Sequence, residues 1–492
     1  MISHNKSQFL KKIKNKKDFI FYKKINKFIL DPVPYFMNKV DGTKYSFLYE
    51  SVEKGKDKGR YTFCGYGASS VIINKKNGLY VIKDKKTKKL KKEKNILNQI
   101  NSIINSYKIS NIESLPPMTS SFFGYLSYEN INNIENIIKK KKIDTLHLPD
   151  CLLFIPETLI IYDNQKSILF LTKTINSNNL DKKNIYENSV NEFKKIVEDI
   201  KINKDYENIN FNKRKRIIPK SNISRSKFKR NIKLAKEYIK NGDIFQVVPS
   251  QRFYAKYKAT GKKLYQVLRK TNPSPFLYYF NLPNFNIVGS SPEILVRLRK
   301  NIVTIRPIAG TRPRGKSKQK DRFYERELLK DKKEVSEHLM LLDLGRNDVG
   351  RVSKKSSVKV TSSFTIEKYS HVMHIVSNVQ GRIQQDKTSM DALMAGFPAG
   401  TVTGAPKIRA MEIIDELEDI KRGIYAGGIG YISPNGDMDT CIALRTGIIH
   451  KNKLYVQAGG GIVYDSDPKK EFEETVNKAK AVFNAAEIAL GN

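Results

Sequence analysis

The sequence predicts an α+β protein whose strands are joined mainly as antiparallel neighbours. Short β-type runs separated by Gly and Asp occupy residues 34–67, and further strand-like segments lie at 79–83 and 151–172. Residues 95–107 carry apolar side chains at helical spacing. From about residue 224 onward, helices alternate with strands whose connections favour an antiparallel sheet over a series of βαβ units.

The composition of the chain divides it into two regions. Residues 204–222 are polar, charged and Asn-rich, and they are predicted to link an N-terminal region, 1–203, to a second region, 223–492. Glycine is denser in the second region and its motifs are more closely spaced. We therefore expect the chemistry of the protein in residues 223–492.

The net charge invites a nucleic-acid-binding interpretation. The chain has 90 Lys and Arg against 49 Asp and Glu, a formal charge of +41. The lysines are spread along the chain, with local clusters at 83–94 and 139–142. None of the usual RNA- or DNA-binding motifs occurs. A solvated basic surface is the preferred interpretation, and a basic nucleic-acid-binding protein is the alternative from a different class.

The sequence also predicts where the protein is found. No apolar run approaches the roughly 20 residues that a membrane-spanning helix needs. The N-terminus carries lysines but no apolar stretch typical of an export signal. Cys64, Cys151 and Cys441 are far apart, which excludes a disulfide framework and a cysteine-based zinc site. We expect a cytoplasmic protein.

Two predicted helices each carry a pair of glutamates three residues apart. The pairs are Glu334 and Glu337 in residues 331–348, and Glu471 and Glu474 in residues 467–486. Asp467 and Pro468 suit the N-cap and the first position of the second helix. Both pairs are compatible with solvated helix faces. If the two helices face each other, the same carboxylates could share an oxygen-ligated Mg²⁺.

Glycine-rich segments surround one arginine. Residues 425–447 are predicted to form a hairpin in which Arg445 projects from an apolar strand, and a strand in 455–468 opens into Gly459–Gly461. An arginine in apolar surroundings needs a partner, either an anionic ligand or a protein carboxylate. Residues 397–418 form a Gly/Pro-rich loop that opens into a helix, where backbone N–H groups can hold an anion.

Taken together, the motifs occur in the order found in the chorismate-utilising enzymes, which the chain resembles over some 240 residues. The motifs are SSPEILV (290–296), PIAGTRPRG (307–315), EHLMLLDLGRND (337–348), VMHIVS (372–377), FPAGTVTGAPKIRAMEII (397–414), YAGGIGY (425–431), DTCIALRT (439–446) and VQAGGGIV (456–463). Residues 47–63 and 272–280 resemble the anthranilate synthase component I branch of that family in particular.

This resemblance implies a fold and a site. The fold would be an antiparallel β-sandwich with helices outside, and the N-terminal region would be regulatory. The substrate would be chorismate, bound against Mg²⁺. The implied metal ligands are Glu337 and Glu474, with Glu334 and Glu471 as outer members. The implied substrate-binding residues are Gly310, Thr311, Thr401, Tyr425, Arg445, Gly459, Gly460, Gly461 and Lys478. Glu293 matches the general acid for the departing C4 hydroxyl, and His374 matches the histidine implicated in pyruvate loss.

Two positions separate the branches of the family. Salicylate and isochorismate synthases use a lysine to activate water where this chain has Gln246. The aminodeoxychorismate branch has a nucleophilic lysine where this chain has Ala309. The resemblance therefore implies the anthranilate-forming branch, in which ammonia adds at C2. The aminodeoxychorismate and isochorismate or salicylate branches are the alternatives.

The resemblance also implies partners and regulation. Ammonia would come from glutamine through a separate glutamine amidotransferase subunit in a hetero-oligomer, because no cysteine nucleophile motif occurs in the chain. Tryptophan, the end product of the pathway that this reaction begins, would be a feedback inhibitor. Its pocket would include Glu50, Ser51, Pro275, Phe276 and Leu277. Tyr49 replaces the leucine more usual in that motif. Arg306, Arg312 and Arg314 receive no role from the sequence.

Overall fold

The computed structural model describes residues 2–15, 18–51, 59–83, 86–91, 93–107, 114–176, 184–203, 205–369 and 372–492. No helix in these ranges is both long and apolar enough to cross a membrane. The α-helices in them are α1 Lys6–Lys14, α2 Val33–Asp41, α3 Ile96–Asn105, α4 Ile185–Ile202, α5 Arg225–Lys240, α6 Gly261–Thr271, α7 Lys318–Lys330, α8 Lys332–Gly350, α9 Ser389–Gly396, α10 Lys407–Leu417 and α11 Pro468–Gly491. Two 3₁₀ turns cover Tyr128–Asn133 and Gly400–Val402.

The strands of the same ranges run from the N-terminal region to the start of α11. They are β1 Phe19–Ile25, β2 Ser46–Glu50, β3 Tyr61–Tyr66, β4 Ser70–Lys75, β5 Gly78–Lys83, β6 Lys86–Leu90, β7 Phe122–Leu126, β8 Cys151–Ile155, β9 Thr158–Asp163, β10 Ile168–Ile175, β11 Lys220–Ser221, β12 Gln246–Val247, β13 Ser250–Lys256, β14 Phe276–Leu282, β15 Phe285–Ser291, β16 Ile294–Arg299, β17 Ile302–Ile305, β18 Ile308–Pro313, β19 Lys359–Lys368, β20 Val372–Arg382, β21 Gly404–Ala405, β22 Gly428–Ile432, β23 Met438–Ile442, β24 Thr446–His450 and β25 Lys453–Gly459.

These strands form two large antiparallel sheets. Sheet A has the order β1-β10-β9-β3-β2-β14-β15-β24-β25-β13-β11. Sheet B has the order β18-β20-β17-β16-β23-β22-β7-β8-β4-β5-β6, and β19 also pairs with β20. Strands β12 and β21 make a separate two-stranded ribbon. Each large sheet contains strands from residues 1–203 and from residues 223–492. Residues 204–222 therefore do not separate one sheet from the other. The division of the chain into two regions at these residues stays a prediction.

Side chains that alternate along the strands fill the space between the two sheets. In β2, Phe47 and Tyr49 face the inter-sheet core, whereas Leu48 faces a second core beneath α2, α6 and α11. Phe47 stacks on Phe123 of sheet B with ring centroids 4.3 Å apart. A third core joins the outer face of sheet B to α3 and α9. The α+β class, a β-sandwich with helices outside, is thereby confirmed.

Phe47 offers a direct test of this packing. The side chain is fully buried, so Phe47→Ala should lower the free energy of unfolding by about 3–5 kcal/mol. Phe245→Ala is the control, because that ring is 72% exposed and should change stability little. Chemical denaturation measures both. A loss below about 1 kcal/mol for Phe47→Ala would show that the two sheets do not pack through this ring.

The β-type interpretation of residues 34–67 is wrong for the first part of that segment. Residues 33–41 form helix α2, which follows Pro32 and has Pro34 in its first turn. Its buried side chains include Val33, Phe36, Met37 and Val40, a spacing of three, four and seven residues that places them on one helix face. The rest of the segment does contain strands, since β2 and β3 pair as antiparallel neighbours.

The two helices that carry glutamate pairs are confirmed. Helix α8 is capped by Asp331, whose side chain accepts from the N–H groups of Lys333 and Glu334. Helix α11 is capped by Asp467 in the same way, with Pro468 as its first residue. Capping fixes where each helix begins, and it therefore fixes which glutamates lie in the first two turns.

Candidate active site

Gln246 lies between helix α8 and the glycine segment that precedes α11. The Nε2 of Gln246 donates a hydrogen bond to Oε1 of Glu337 at 3.1 Å. The same amide nitrogen would lie 2.7 Å from a Cβ placed on Gly461, so a side chain at that position would displace the Gln246 amide. Gln246 thus bridges the metal-ligand candidate of α8 and the triple glycine that precedes α11.

The four glutamates lie at these helix starts in unequal environments. Burial raises the pKa of Glu334 and of Glu471. The negative charge of Glu337 raises the pKa of Glu334 further, and that of Glu474 does the same for Glu471. The Oε1 of Glu471 accepts from Ser466, while its buried Oε2 has no hydrogen-bond partner in the described ranges. Lys333 of α8 lowers the pKa of Glu471, which puts the two helix starts within electrostatic reach of each other.

This donor set fits an oxygen-preferring divalent cation better than a zinc ion. Within the described ranges, no three or more His, Cys, Asp or Glu side chains are grouped to hold a metal by themselves. Mg²⁺ is commonly held by one or two carboxylates, with substrate oxygens and water completing its octahedron. The unpartnered oxygen of Glu471, beside the Glu474 carboxylate, is consistent with such a site.

Lys478 lies one helical turn after Glu474. Its Nζ forms an ion pair with Glu474 at 2.7 Å and donates to the carbonyl of Gly459 at 3.0 Å. The lysine therefore joins α11 to the triple glycine. A Cβ on Gly460 would lie 3.2 Å from Oε2 of Glu471, so this segment also passes close to the buried carboxylate.

Glu293 lies in the short connection between β15 and β16 and is buried. Burial raises the pKa of its carboxyl to about 8, and the Thr401 hydroxyl and the Ile308 N–H offset part of that rise. The side chain is therefore protonated at neutral pH. A neutral carboxylic acid in a buried site can donate a proton, which is the chemistry expected of Glu293.

His374 lies on β20 with its Nδ1 2.8 Å from the carbonyl oxygen of Gly310. Because a carbonyl only accepts, Nδ1 carries the proton and Nε2 is left with its lone pair. Thr311 lies 3.2 Å from the same nitrogen. Burial and the charge of Arg445 lower the pKa of His374, so the ring is neutral at neutral pH and can accept a proton at Nε2.

The sequence predicts Arg445 within a strand, but the structure places it between two strands. Strand β23 ends at Ile442 and β24 begins at Thr446, and Arg445 lies between them with φ 47°. A left-handed conformation is incompatible with a continued strand, so the predicted strand is broken at this point. The guanidinium makes no hydrogen bond or ion pair with any residue that the structure describes. Burial lowers its pKa, as expected for a cation that no carboxylate of the described ranges neutralises.

Tyr425 is buried beside the triple glycine. The N–H of Gly459 donates to its hydroxyl, and burial raises the pKa of Tyr425 to about 12. Thr401 lies in the 3₁₀ turn Gly400–Val402, and its buried Oγ1 shares a cavity of about 30 Å³ with Glu293. The structure thus gathers the predicted substrate residues into two groups. Gly310, Thr311 and Arg445 lie with His374, and Tyr425, Gly459 and Lys478 lie toward α11.

Arg422 was missed by the sequence analysis. Its guanidinium donates to both carboxylate oxygens of Glu418 and to the carbonyls of Val402 and Val248. It also lies over the Tyr425 ring, 5.5 Å from the centroid. Arg422 therefore fixes the loops that carry Thr401 and Tyr425. Glu418 and Arg422 follow the end of α10, so no helical spacing in the sequence signals this pair.

The three arginines without a role from the sequence form ion pairs with acidic side chains. Arg306 pairs with Glu367, and Arg314 pairs with Asp321. Arg312 lies within ion-pair distance of three carboxylates, those of Glu327, Asp331 and Glu334. Between Arg306 and Arg312, Ala309 is buried on β18 opposite Ile375.

The residues of the predicted tryptophan pocket lie at the centre of sheet A. Glu50, Ser51, Pro275 and Phe276 line one cavity of about 920 Å³. The carboxylate of Glu50 already accepts from Tyr265 and from Arg269, at 2.6 Å for Nε. Leu277 does not join the cavity, because its side chain is buried on the opposite face of the sheet in the core beneath the helices.

Comparisons with known proteins identify the family of the chain. Residues 46–484 match the family described as chorismate binding enzyme. The chain is 41% identical over 472 residues to anthranilate synthase component 1 of Acinetobacter calcoaceticus, covering 93% of each chain. It is 60% identical over 270 residues to the component 1 of Cereibacter sphaeroides, and that alignment spans about half of the relative, 54%.

Solved structures give the same grouping. The crystal structure of anthranilate synthase component I from Streptococcus pneumoniae superposes with a TM-score of 0.75 and 37% identity, covering 87% of this chain and 95% of that chain. MenF, the menaquinone-specific isochorismate synthase from Escherichia coli, shares the fold with a TM-score of 0.71 at 16% identity, over 98% of this chain and 99% of that one. With the family match spanning most of its length, the chain belongs to the chorismate-binding enzymes, in the group of anthranilate synthase component 1.

Proposed function

We propose that the chain is the large subunit of an anthranilate synthase, which converts chorismate and ammonia to anthranilate, pyruvate and water. The observation that carries this proposal is that Arg445, a half-buried cation with no partner among the described residues, lies beside the neutral His374. Chorismate has two carboxylates and needs both a cationic partner and a base. Arg445 supplies the cation and His374 the base, from the same side of the site.

The side chains suit the two stages of this reaction. In the first stage ammonia bonds to C2, the double bonds shift, and the C4 hydroxyl departs as water with the proton of Glu293; the new C2 ammonium group then loses a proton to solvent to give the amine. In the second stage a base removes the C2 proton, the ring becomes aromatic, and the enolpyruvyl group departs and is protonated to pyruvate. The lone pair of His374 Nε2 is available for that proton. Arg445 would hold the enolpyruvyl carboxylate through both stages.

Glu337 and Glu474 would hold Mg²⁺, with Glu334 and Glu471 around them. The ion would neutralise the ring carboxylate of chorismate, which lowers the repulsion that an anionic substrate presents to a nucleophile. Gln246 holds Glu337 through its amide, so it would keep one ligand oriented while contributing no base.

The choice of nucleophile separates this proposal from the other family reactions. A buried Ala309 supplies no amine to attack C2, and Gln246 cannot activate water as a lysine does. Free ammonia is then the remaining nucleophile. The aminodeoxychorismate and isochorismate reactions are the alternatives, and neither is favoured by an observation at these two positions.

The nitrogen donor tests the proposal. Purified chain with chorismate, Mg²⁺ and ammonium should give the fluorescence of anthranilate, because ammonia reaches the site without help. Glutamine should give none until a glutamine amidotransferase subunit is added. Glutamine-dependent activity of the chain alone would contradict a separate glutaminase, and failure with ammonium would contradict the synthase assignment itself.

Feedback by tryptophan is the regulatory part of the proposal. Ser51, Pro275 and Phe276 line a cavity next to the buried Glu50–Arg269 pair, which suits a zwitterionic aromatic ligand. Ser51→Leu should project a bulkier side chain into that cavity and weaken tryptophan inhibition at least about 10-fold while the uninhibited rate is retained. Inhibition curves for both proteins measure this. An unchanged inhibition constant would place the inhibitor elsewhere.

A further inference from the structure

Three side chains form a connected series behind His374. Arg306, between β17 and β18, donates to Oε1 of Glu367. The hydroxyl of Tyr369 donates to the other carboxylate oxygen of Glu367 at 3.0 Å. The ring of Tyr369 meets the ring of His374 edge to face, with centroids 5.4 Å apart and planes at 66°. The series ends on the histidine expected to accept the substrate proton.

The strand register gives Glu367 a second connection to His374. The two residues are direct partners in the antiparallel pairing of β19 and β20, so their side chains lie on the same face of the sheet. The charge of Glu367 raises the pKa of His374, opposing the effects of burial and of Arg445. Two further contacts of the ring are polar and uncharged, with Gly310 and Thr311 of β18.

Tyr369 also lies near the other functional group on this side of the site, Arg445. Its phenol contributes to raising the pKa of that guanidinium. Neither Glu367 nor Tyr369 was singled out by the sequence.

We propose that Glu367 and Tyr369 are positioning residues that orient His374 for the reaction, with Arg306 anchoring Glu367. This inference rests on the proposed function. Tyr369 fixes the ring plane of His374, and Glu367 fixes Tyr369. Arg306 and Glu367 are only 25% and 21% exposed, so the pair is held in place by its surroundings.

Glu367→Gln should shift the acid limb of the pH profile of kcat. The loss of the negative charge lowers the pKa of His374, so the ring stays neutral to lower pH and the acid limb moves down in pH. At the optimum, kcat should fall by about 10-fold, because a displaced base is less effective than a well-oriented one. Tyr369→Phe keeps the aromatic ring and should lower kcat less than Tyr369→Leu, which removes the ring.

The control and the direct measurement separate positioning from general structural damage. Glu325→Gln removes a half-exposed carboxylate that pairs with Lys368, next to Glu367 in β19, and should leave the profile unchanged. Histidine NMR titration, assigned with a His374→Gln variant, gives the pKa of His374 without reference to turnover. The inference is overturned if His374 titrates alike in wild type and Glu367→Gln, or if Glu325→Gln shifts it equally. If the wild type forms no anthranilate, the proposed function is wrong. The NMR titration would still give the pKa of His374 in that case.

Discussion

Glu293→Gln is expected to lower kcat for anthranilate formation by about 10²–10⁴-fold, the range typical of a general acid. Glutamine has nearly the same shape and no proton to give. At pH 7 folding must protonate Glu293, because its pKa is raised to about 8, whereas glutamine is neutral in both states; the substitution should therefore raise the free energy of unfolding rather than lower it. Steady-state kinetics and thermal denaturation of the same preparation measure the two quantities. A variant that retains more than about a tenth of the wild-type kcat would show that another group protonates the leaving hydroxyl.

The pH dependence of the wild type follows from the same carboxyl. Glu293 is in its acid form below its pKa of about 8 and becomes a carboxylate above it. The rate should therefore fall as the pH rises through about 8, provided that the concentration of free ammonia, rather than total ammonium, is held constant. A rate that is flat through this range under that condition would contradict the assignment of Glu293 as the acid.

Glu474→Gln is expected to weaken the apparent affinity for Mg²⁺ at least about 10-fold and to remove most Mg²⁺-dependent turnover. The substitution removes an anionic oxygen ligand and leaves the half-exposed Lys478 without its ion-pair partner at 2.7 Å. Turnover as a function of Mg²⁺ concentration, together with calorimetric Mg²⁺ binding, measures the effect.

The neighbouring Glu473 supplies the matched control. Its half-exposed carboxylate pairs with Arg225, away from the triple glycine, so Glu473→Gln should behave as wild type. Equal Mg²⁺ dependence in Glu474→Gln and wild type would mean that the metal ligands are assigned to the wrong residues.

Local chemistry explains which parts of the fold the sequence could predict. Helix α11 was predictable because Asp467 and Pro468 determine its start through short-range hydrogen bonding and backbone geometry. Helix α2 was misread because Tyr and Phe favour strands by propensity. Its spacing of buried residues, at 33, 36, 37 and 40, was the stronger signal.

The candidate site shows a similar limit. The Glu pairs could be found from their spacing, but the contact of Gln246 with Glu337 joins residues 91 positions apart, and no local pattern reports it. The strand break at Arg445 depends on a left-handed backbone conformation that arginine rarely adopts. The network of Arg422 is built from backbone carbonyls, which any sequence provides. Contacts between residues so far apart in the sequence become visible only when the fold is known.

The position of the nitrogen in the product tests the central claim most directly. The wild-type chain is incubated with chorismate, Mg²⁺ and ¹⁵N-ammonium, and the aromatic product is examined by NMR and mass spectrometry. Because Ala309 offers no amine and Glu293 can release the C4 hydroxyl, we expect the label on the carbon adjacent to the ring carboxylate, as in anthranilate, together with free pyruvate. Nitrogen at C4 with the enolpyruvyl group retained, or an unlabelled hydroxylated product, would contradict it.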